Sequence, residues 1–244
     1  SAEYLRVEIA EGALSQALPR LRQAGFLGWN CTLPHKEAMF TLCSETDASA
    51  RECGSVNTVR VTPQGLFGSS TDADGWEDAV AKAWNLNLPG QRVLILGCGG
   101  VGRTLAFRLV KRGCRSLAIC YRDGEKASRL AKELQSRIPI PISTPAWDSP
   151  ELARTIGQSD LLIQATRLGL ASDDPLPVPV ENLHPALKVY DTVYRKDFTP
   201  LIQAARARGI PSLDGLGMLL FQGARALSLW TGKPAPLAVM QAAL

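Results

Sequence analysis

Hydrophobic and polar positions along the chain switch between a period of two and a period near 3.6, and each switch outlines an element. Residues 4–9 alternate and predict a strand. Residues 11–24 carry Leu14, Leu18 and Leu21 at helical spacing, up to a stop at Gly25. Residues 28–33 predict a second strand closed by Pro34, and proline suits the first position of a helix over 35–42. A short helix is expected over 45–53, then a hairpin of 56–61 and 66–69 around Pro63-Gln64-Gly65. Helical spacing returns over 74–84, 125–135, 198–208, 216–230 and 235–244. Short apolar runs at 160–165, 189–191 and 210–213 predict buried strands, and the proline-rich residues 173–179 predict a surface loop. Strands alternating with helices imply a parallel, doubly wound sheet, so the fold class is α/β.

The most informative stretch is 92–123. An apolar run, Val93-Leu94-Ile95-Leu96, leads into Gly97, Gly99, Gly100 and Gly102 in the pattern G-x-G-x-x-G. A helix-period segment and a second apolar run, 116–120, follow. In a strand–turn–helix of this kind Gly97 permits the tight turn, Gly99 lets backbone approach a pyrophosphate, and Gly102 lets helix pack on strand. The N–H groups at the helix start then hold the phosphate charge. The stretch therefore predicts a dinucleotide site. An acid at the end of the second strand would accept a hydrogen bond from the ribose of NAD; a base would pair with the 2′-phosphate of NADP. The chain has both, Arg122 and Asp123, with Lys126 one turn beyond Arg122. Two cations favour NADP, while Asp123 leaves NAD open.

Length and composition narrow the classes. The 244 residues suffice for one large or two small domains, and 45% hydrophobic with 20% charged residues is ordinary for a globular protein. A net charge of +4 without a dense basic block gives nucleic-acid binding no support but suits anionic ligands. The six cysteines form no C-x-x-C pair and read as small core residues of a reducing compartment. With only His35 and His184, a histidine-based metal site or triad is not expected. No apolar run reaches membrane-spanning length and no signal peptide is seen, so a cytoplasmic protein is the expectation. Oligomeric state is not readable from these residues.

Three polar clusters precede the glycine turn: Asn30-Cys31-Thr32-Leu33-Pro34-His35-Lys36, Gly54-Ser55-Val56-Asn57-Thr58 and Ser69-Ser70-Thr71-Asp72. Taken singly, Asp72 or Thr71 is an N-cap and Lys36 a surface lysine. Taken together they resemble a family. The stretch from Gly28 to Lys36 is similar to the G-x-N-V-T-x-P-x-K motif of shikimate dehydrogenases, Val56-Asn57-Thr58 to their V-N-T, and Ser70-Thr71-Asp72 to their N-T-D. The glycine turn resembles their G-x-G-G, Asp191-Thr192-Val193-Tyr194 their D-x-x-Y, and Asp214 to Gln222 their D-G-x-x-M-L-x-x-Q. The likeness runs in order over almost the whole chain.

The resemblance implies an NADP-linked enzyme interconverting 3-dehydroshikimate and shikimate. It implies Lys36 and Asp72 as an acid–base pair, and Thr32, Asn57, Tyr194 and Gln222 at the substrate. It implies Thr166 and Gly217 at the nicotinamide, and Arg122 and Lys126 at the 2′-phosphate, although the family usually has arginine at the second position. Hydride delivery to a ring ketone leaves an alkoxide, for which a lysine ammonium supplies both positive charge and a proton. Neutral donors and acceptors suit the ring hydroxyls. Residues 1–72, completed by 217–244, are expected to form a substrate domain and 73–216 a dinucleotide domain, with the active site in the cleft between them.

Four departures stand out. The family's opening strand, with the S-x-S that grips the substrate carboxylate, has no counterpart, which leaves open a fragment or a differently built carboxylate pocket. Gln164-Ala165-Thr166-Arg167-Leu168-Gly169 differs from N-A-T-S-x-G, Ser70 replaces an asparagine, and Tyr121-Arg122-Asp123 differs from N-R-T. A quinate or aminoshikimate dehydrogenase and a non-catalytic binding or regulatory homologue are the rival readings.

Overall fold

The computed structural model describes residues 3–171 and 173–244, and the chain divides into two compact units. The first comprises Ser1–Thr71 and Arg225–Ala235, the second Asp72–Ala224 and Pro236–Leu244.

The first unit holds α1 (Leu14–Gln23), β1 (Gly28–Asn30), α2 (Lys36–Leu42), β2 (Glu45–Thr46), α3 (Ala48–Cys53), β3 (Thr58–Thr62) and β4 (Gly65–Ser69). Its sheet runs β1-β3-β4-β2. β3 and β4 form the expected hairpin, closed by a two-residue turn between Thr62 and Gly65. Leu14 and Leu18 from α1, Met39 from α2, Ala50 from α3 and Val59 and Leu66 from the sheet make one buried cluster.

Three expectations need correction. Residues 4–9 form no strand. Alternation yields a strand only when a ladder partner exists, and β1 pairs with β3 alone among the described residues. The segment is held instead by side chains: Tyr4 Oη donates to Asn30 Oδ1 at 2.8 Å and His35 Nε2 meets Ile9 O at 2.8 Å. The helix expected over 45–53 is a two-residue strand followed by α3, because the Asp47 carboxylate caps α3 by accepting from Ala50 N–H at 2.7 Å. Pro34 does not start a helix: it lies in a turn closed by His35 N–H to Thr32 O at 2.9 Å, and α2 begins at Lys36.

The second unit holds α4 (Asp72–Trp84), β5 (Arg92–Leu96), α5 (Gly100–Lys111), β6 (Ser116–Cys120), α6 (Gly124–Gln135), β7 (Ile142–Ser143), α7 (Pro150–Gln158) and β8 (Leu161–Gln164). β9 (Lys188–Asp191), α8 (Pro200–Ala207), β10 (Ser212–Leu213), α9 (Leu216–Thr231) and α10 (Leu237–Ala242) complete the element order. The last seven residues of α9 belong to the first unit. All neighbours in the sheet are parallel, in the order β10-β9-β8-β5-β6-β7. After β5 the chain winds outward through β6 and β7, then returns to β8 on β5's other side. That reversal is the topological switch point, where ligands bind in open α/β sheets. The central strands are buried on both faces, as their unbroken apolar runs require. β7 and α7 were not anticipated. In the proline-rich stretch Val178, 2% exposed, packs into the core rather than facing solvent. No helix among the described residues is long and apolar enough to cross a membrane.

Candidate active site

The glycine turn sits at the switch point of the second unit. Gly97 continues β5, its N–H donating to Cys120 O at 2.8 Å, but at φ +106 it leaves strand geometry. A Cβ on Gly97 would stand 2.7 Å from Ala165 O, so backbone of the neighbouring β8 loop occupies the space. A Cβ on Gly102 would overlap Gly97 O, which is the close approach of helix to strand. A Cβ on Gly99 would meet nothing within 4 Å, so this backbone faces open space. Gly99 is also the N-cap of α5 and no side chain caps that helix, whereas α6, α7 and α8 are capped by Asp123, Ser149 and Thr199. The first N–H groups of α5 thus point outward without a capping acceptor, which fits a pyrophosphate.

At the end of β6 the two competing residues separate. Asp123 caps the helix through Oδ1, which accepts from Lys126 N–H at 3.0 Å. Arg122 is exposed, and its guanidinium carbon lies 5.8 Å from the Trp147 ring centre.

The loop after β8 is held by a residue to which the sequence assigns no role. Gln164 is fully buried. Its Oε1 accepts from Thr166 N–H at 2.5 Å, and its Nε2 donates to Leu168 O at 2.8 Å and to Asp191 Oδ1 at 3.3 Å. Thr166 Oγ1 in turn accepts from Leu168 N–H at 3.1 Å. Asp191, at the end of β9, also accepts from Val193 N–H at 3.0 Å and from Thr199 Oγ1 at 2.6 Å. Burial raises its carboxyl, the hydroxyl of Thr199 and the N–H of Val193 lower it, Asp214 raises it further, and the balance pushes it up to about 7. Tyr194, 44% exposed, follows two residues after the N–H-bonded Thr192, and a Cβ on Gly215 would stand 3.3 Å from its ring.

α4 and α9 touch through glycines. A Cβ on Gly75 would stand 2.7 Å from Gln222 N, and one on Gly217 3.0 Å from Ala79 Cβ. Gly217 thereby lets α9 lie against α4, and Gln222 is set beside the first turns of the helix that Asp72 begins. Asp72 is 5% exposed, and Gln222 Nε2 donates to Leu219 O at 3.1 Å.

In the first unit the polar clusters converge through main-chain bonds. Val56 N–H donates to Lys36 O at 2.9 Å and Cys31 N–H to Asn57 O at 2.7 Å, so the start of α2 lies against the start of β3. Lys36 is 9% exposed and so is not a surface lysine. Asn57, 2% exposed, accepts from Thr71 N–H at 2.8 Å and donates through Nδ2 to Thr71 Oγ1 at 3.0 Å. Asn30 Nδ2 donates to Thr58 Oγ1 at 3.0 Å, while Thr32 stands exposed at the rim. Beside them the Cys31 thiol is pushed up to about 12, chiefly by burial and then by Cys43, with Lys36 pulling the other way.

Three stretches of the chain match models of one family. Residues 1–59 match the family model described as the shikimate dehydrogenase substrate binding domain, 79–171 the shikimate / quinate 5-dehydrogenase model, and 215–244 the shikimate 5'-dehydrogenase C-terminal domain. The shikimate dehydrogenase (NADP(+)) of Methanopyrus kandleri is 35% identical over 99% of this chain and 84% of its own length. The crystal structure of shikimate 5-dehydrogenase from Thermus thermophilus in complex with NADP(H) and shikimate is 34% identical, with a TM-score of 0.83 over 96% of this chain and 84% of that one. Quinate dehydrogenase from Corynebacterium glutamicum in complex with NAD is 29% identical, with a TM-score of 0.85 over 97% and 84%.

Proposed function

The chain belongs to the shikimate dehydrogenase family, and on that premise we propose that it interconverts 3-dehydroshikimate and shikimate with NADP. The observation that carries the reading is the burial of Lys36, whose main-chain carbonyl accepts from Val56 N–H next to buried Asn57, where a surface lysine was the bland alternative. In this reading residues 1–72 with 217–244 hold the substrate and 73–216 hold the dinucleotide.

NADP supplies the acceptor for the substrate's hydride. Lys36 handles the proton of the ring hydroxyl: its ammonium delivers it to the carbonyl oxygen during reduction, and its amine receives it during oxidation. Asp72 orients that amine and balances its charge. Asn57, Thr32, Gln222 and Tyr194 hold the remaining hydroxyls, where neutral groups donate and accept equally well. Thr71, locked on Asn57, fixes which face of the amide is presented.

At the cofactor end the N–H groups of α5 hold the pyrophosphate, and Thr166 and Gly217 flank the nicotinamide. Arg122 and Lys126 hold the 2′-phosphate. The exposed guanidinium of Arg122 at the end of β6 supports NADP over NAD, while Asp123 Oδ1 caps α6. Cytoplasmic placement is part of the same proposal, motivated by six free cysteines.

The test is NADP reduction followed by absorbance with shikimate as substrate. Lys36→Ala should lower kcat by ~10²–10⁴ with KM for shikimate changed only a few-fold. Unchanged turnover would remove Lys36 from the reaction. The likeness to a quinate dehydrogenase makes quinate the comparison substrate, and a higher kcat/KM on quinate would reassign the substrate while keeping the chemistry.

A further inference from the structure

Arg108 lies two turns into α5, 7% exposed, with a full positive charge in the interior of the second unit. It is covered by two carboxylates, both on α4: Asp74 Oδ1 at 2.6 Å and Glu77. Arg112, the C-cap of α5, binds Glu77 from outside through Nε at 2.6 Å and an η nitrogen at 2.9 Å. Burial alone would raise the Glu77 carboxyl, but Arg112 and Arg108 together hold it below its ordinary value. Burial likewise works against the Arg108 charge, and Asp74 and Glu77 outweigh it.

The two helices joined here are the two that matter for the reaction. α4 begins at Asp72, two residues before Asp74, and α5 begins at the dinucleotide turn. A buried ion pair is weak support for stability as such, since apolar residues of similar volume often do as well. Its geometric demand is strong. Turning α4 by one residue, about 100°, or sliding it by one turn, ~5.4 Å, would withdraw both carboxylates and strand the cation. The cluster therefore permits one rotation and one register of α4 on α5.

We propose that Arg108 is a positioning residue for the reaction, fixing Asp72 relative to the dinucleotide turn through Asp74 and Glu77. The proposal rests on Asp72 belonging to the acid–base pair. Misplacing a reacting group by about 1 Å can cost ~10²-fold in rate, so a modest drift of α4 suffices for a kinetic effect.

The experiment is a double-mutant cycle on kcat at saturating shikimate and NADP. Arg108→Met should lower kcat by about 10- to 100-fold with both KM values within about threefold. In an Asp72→Asn background the same substitution should change kcat by less than about twofold, because there is no longer a carboxylate to misplace. An equal loss in both backgrounds, or no loss in the parent, would overturn the proposal and reduce Arg108 to a structural ion. If Asp72→Asn itself leaves kcat intact, the assignment of Asp72 fails instead, and the two failures are separate. Asp74→Asn guards against misfolding of the first variant, since Glu77 still covers the cation. Its smaller loss of kcat should also vanish in the Asp72→Asn background, and its persistence there would count against the proposal equally.

Discussion

Replacing Asp191 by asparagine removes a carboxyl that is wholly buried at the end of β9 and has no cation among the neighbours that set its titration. Burial is the largest influence on that group, and the balance of burial, Asp214 and the hydrogen bonds lifts the value from 3.8 to about 7. In the unfolded chain the same group titrates near the ordinary 3.8. Below that value both states are protonated and nothing is lost. As pH rises from 3.8 toward 7 the unfolded chain releases its proton while the folded chain keeps it, so the unfolded state gains. The slope is about 1.4 kcal/mol per pH unit, and the interval yields roughly 4 kcal/mol of lost stability by neutral pH. Asparagine keeps the shape, can accept from Val193 and Gln164, and has no proton to lose.

The assay is the urea midpoint of parent and Asp191→Asn between pH 4.5 and 7.5. Glu77, Glu133 and Asp160 are all held below their ordinary values and work in the opposite sense, but they are common to both proteins and cancel in the difference. The variant should gain on the parent steadily as pH rises, most of the way to roughly 4 kcal/mol, and the gain should level off above about 7. A difference that stays flat over this range would refute the reasoning, and would mean that Thr199, Val193 and Gln164 stabilise the carboxylate enough to offset its burial.

Two further perturbations address the cofactor end. Gly97→Ala places a Cβ 2.7 Å from Ala165 O at a residue with φ +106; it should cost about 1–3 kcal/mol in stability and raise the Kd for NADP at least tenfold, read by denaturant titration and calorimetry. Arg122→Ala should raise KM for NADP about tenfold or more while leaving KM for NAD nearly unchanged, measured with both cofactors. Equal effects on both cofactors would mean that Arg122 serves the adenine side through Trp147 rather than the phosphate.

What the sequence disclosed and what it withheld divide along one line. The stretch 92–123 was legible because strand, glycine turn and helix follow one another without interruption, and each signal lies within a few residues of the element it sets. The hairpin at Pro63-Gln64 was legible for the same reason. Residues 4–9 misled because alternation describes a face and says nothing of a partner strand. Residues 45–53 misled because Asp47 accepts from the N–H of Ala50, so the helix starts only after Asp47 and Glu45–Thr46 are left to pair as a strand. α7 was overlooked although Ser149, Pro150 and Glu151 are a local start signal; β7, two residues long, carries none.

The groups that hold the site in shape lie on the far side of that line. Gln164 meets Asp191 across 27 residues, and Glu77 meets Arg108 across 31. No periodicity encodes such meetings, because a carboxylate destined for a buried guanidinium reads in sequence like any solvated helix residue. Lys36, Asn57 and Gly97 declare themselves because each stands in a motif that resembles the family's. Asp74 and Glu77 are restricted by the buried Arg108 that they cover. A substitution of Arg108 or Asp74 should therefore appear in kcat before it appears in binding, and one of Asp191 in the pH dependence of stability.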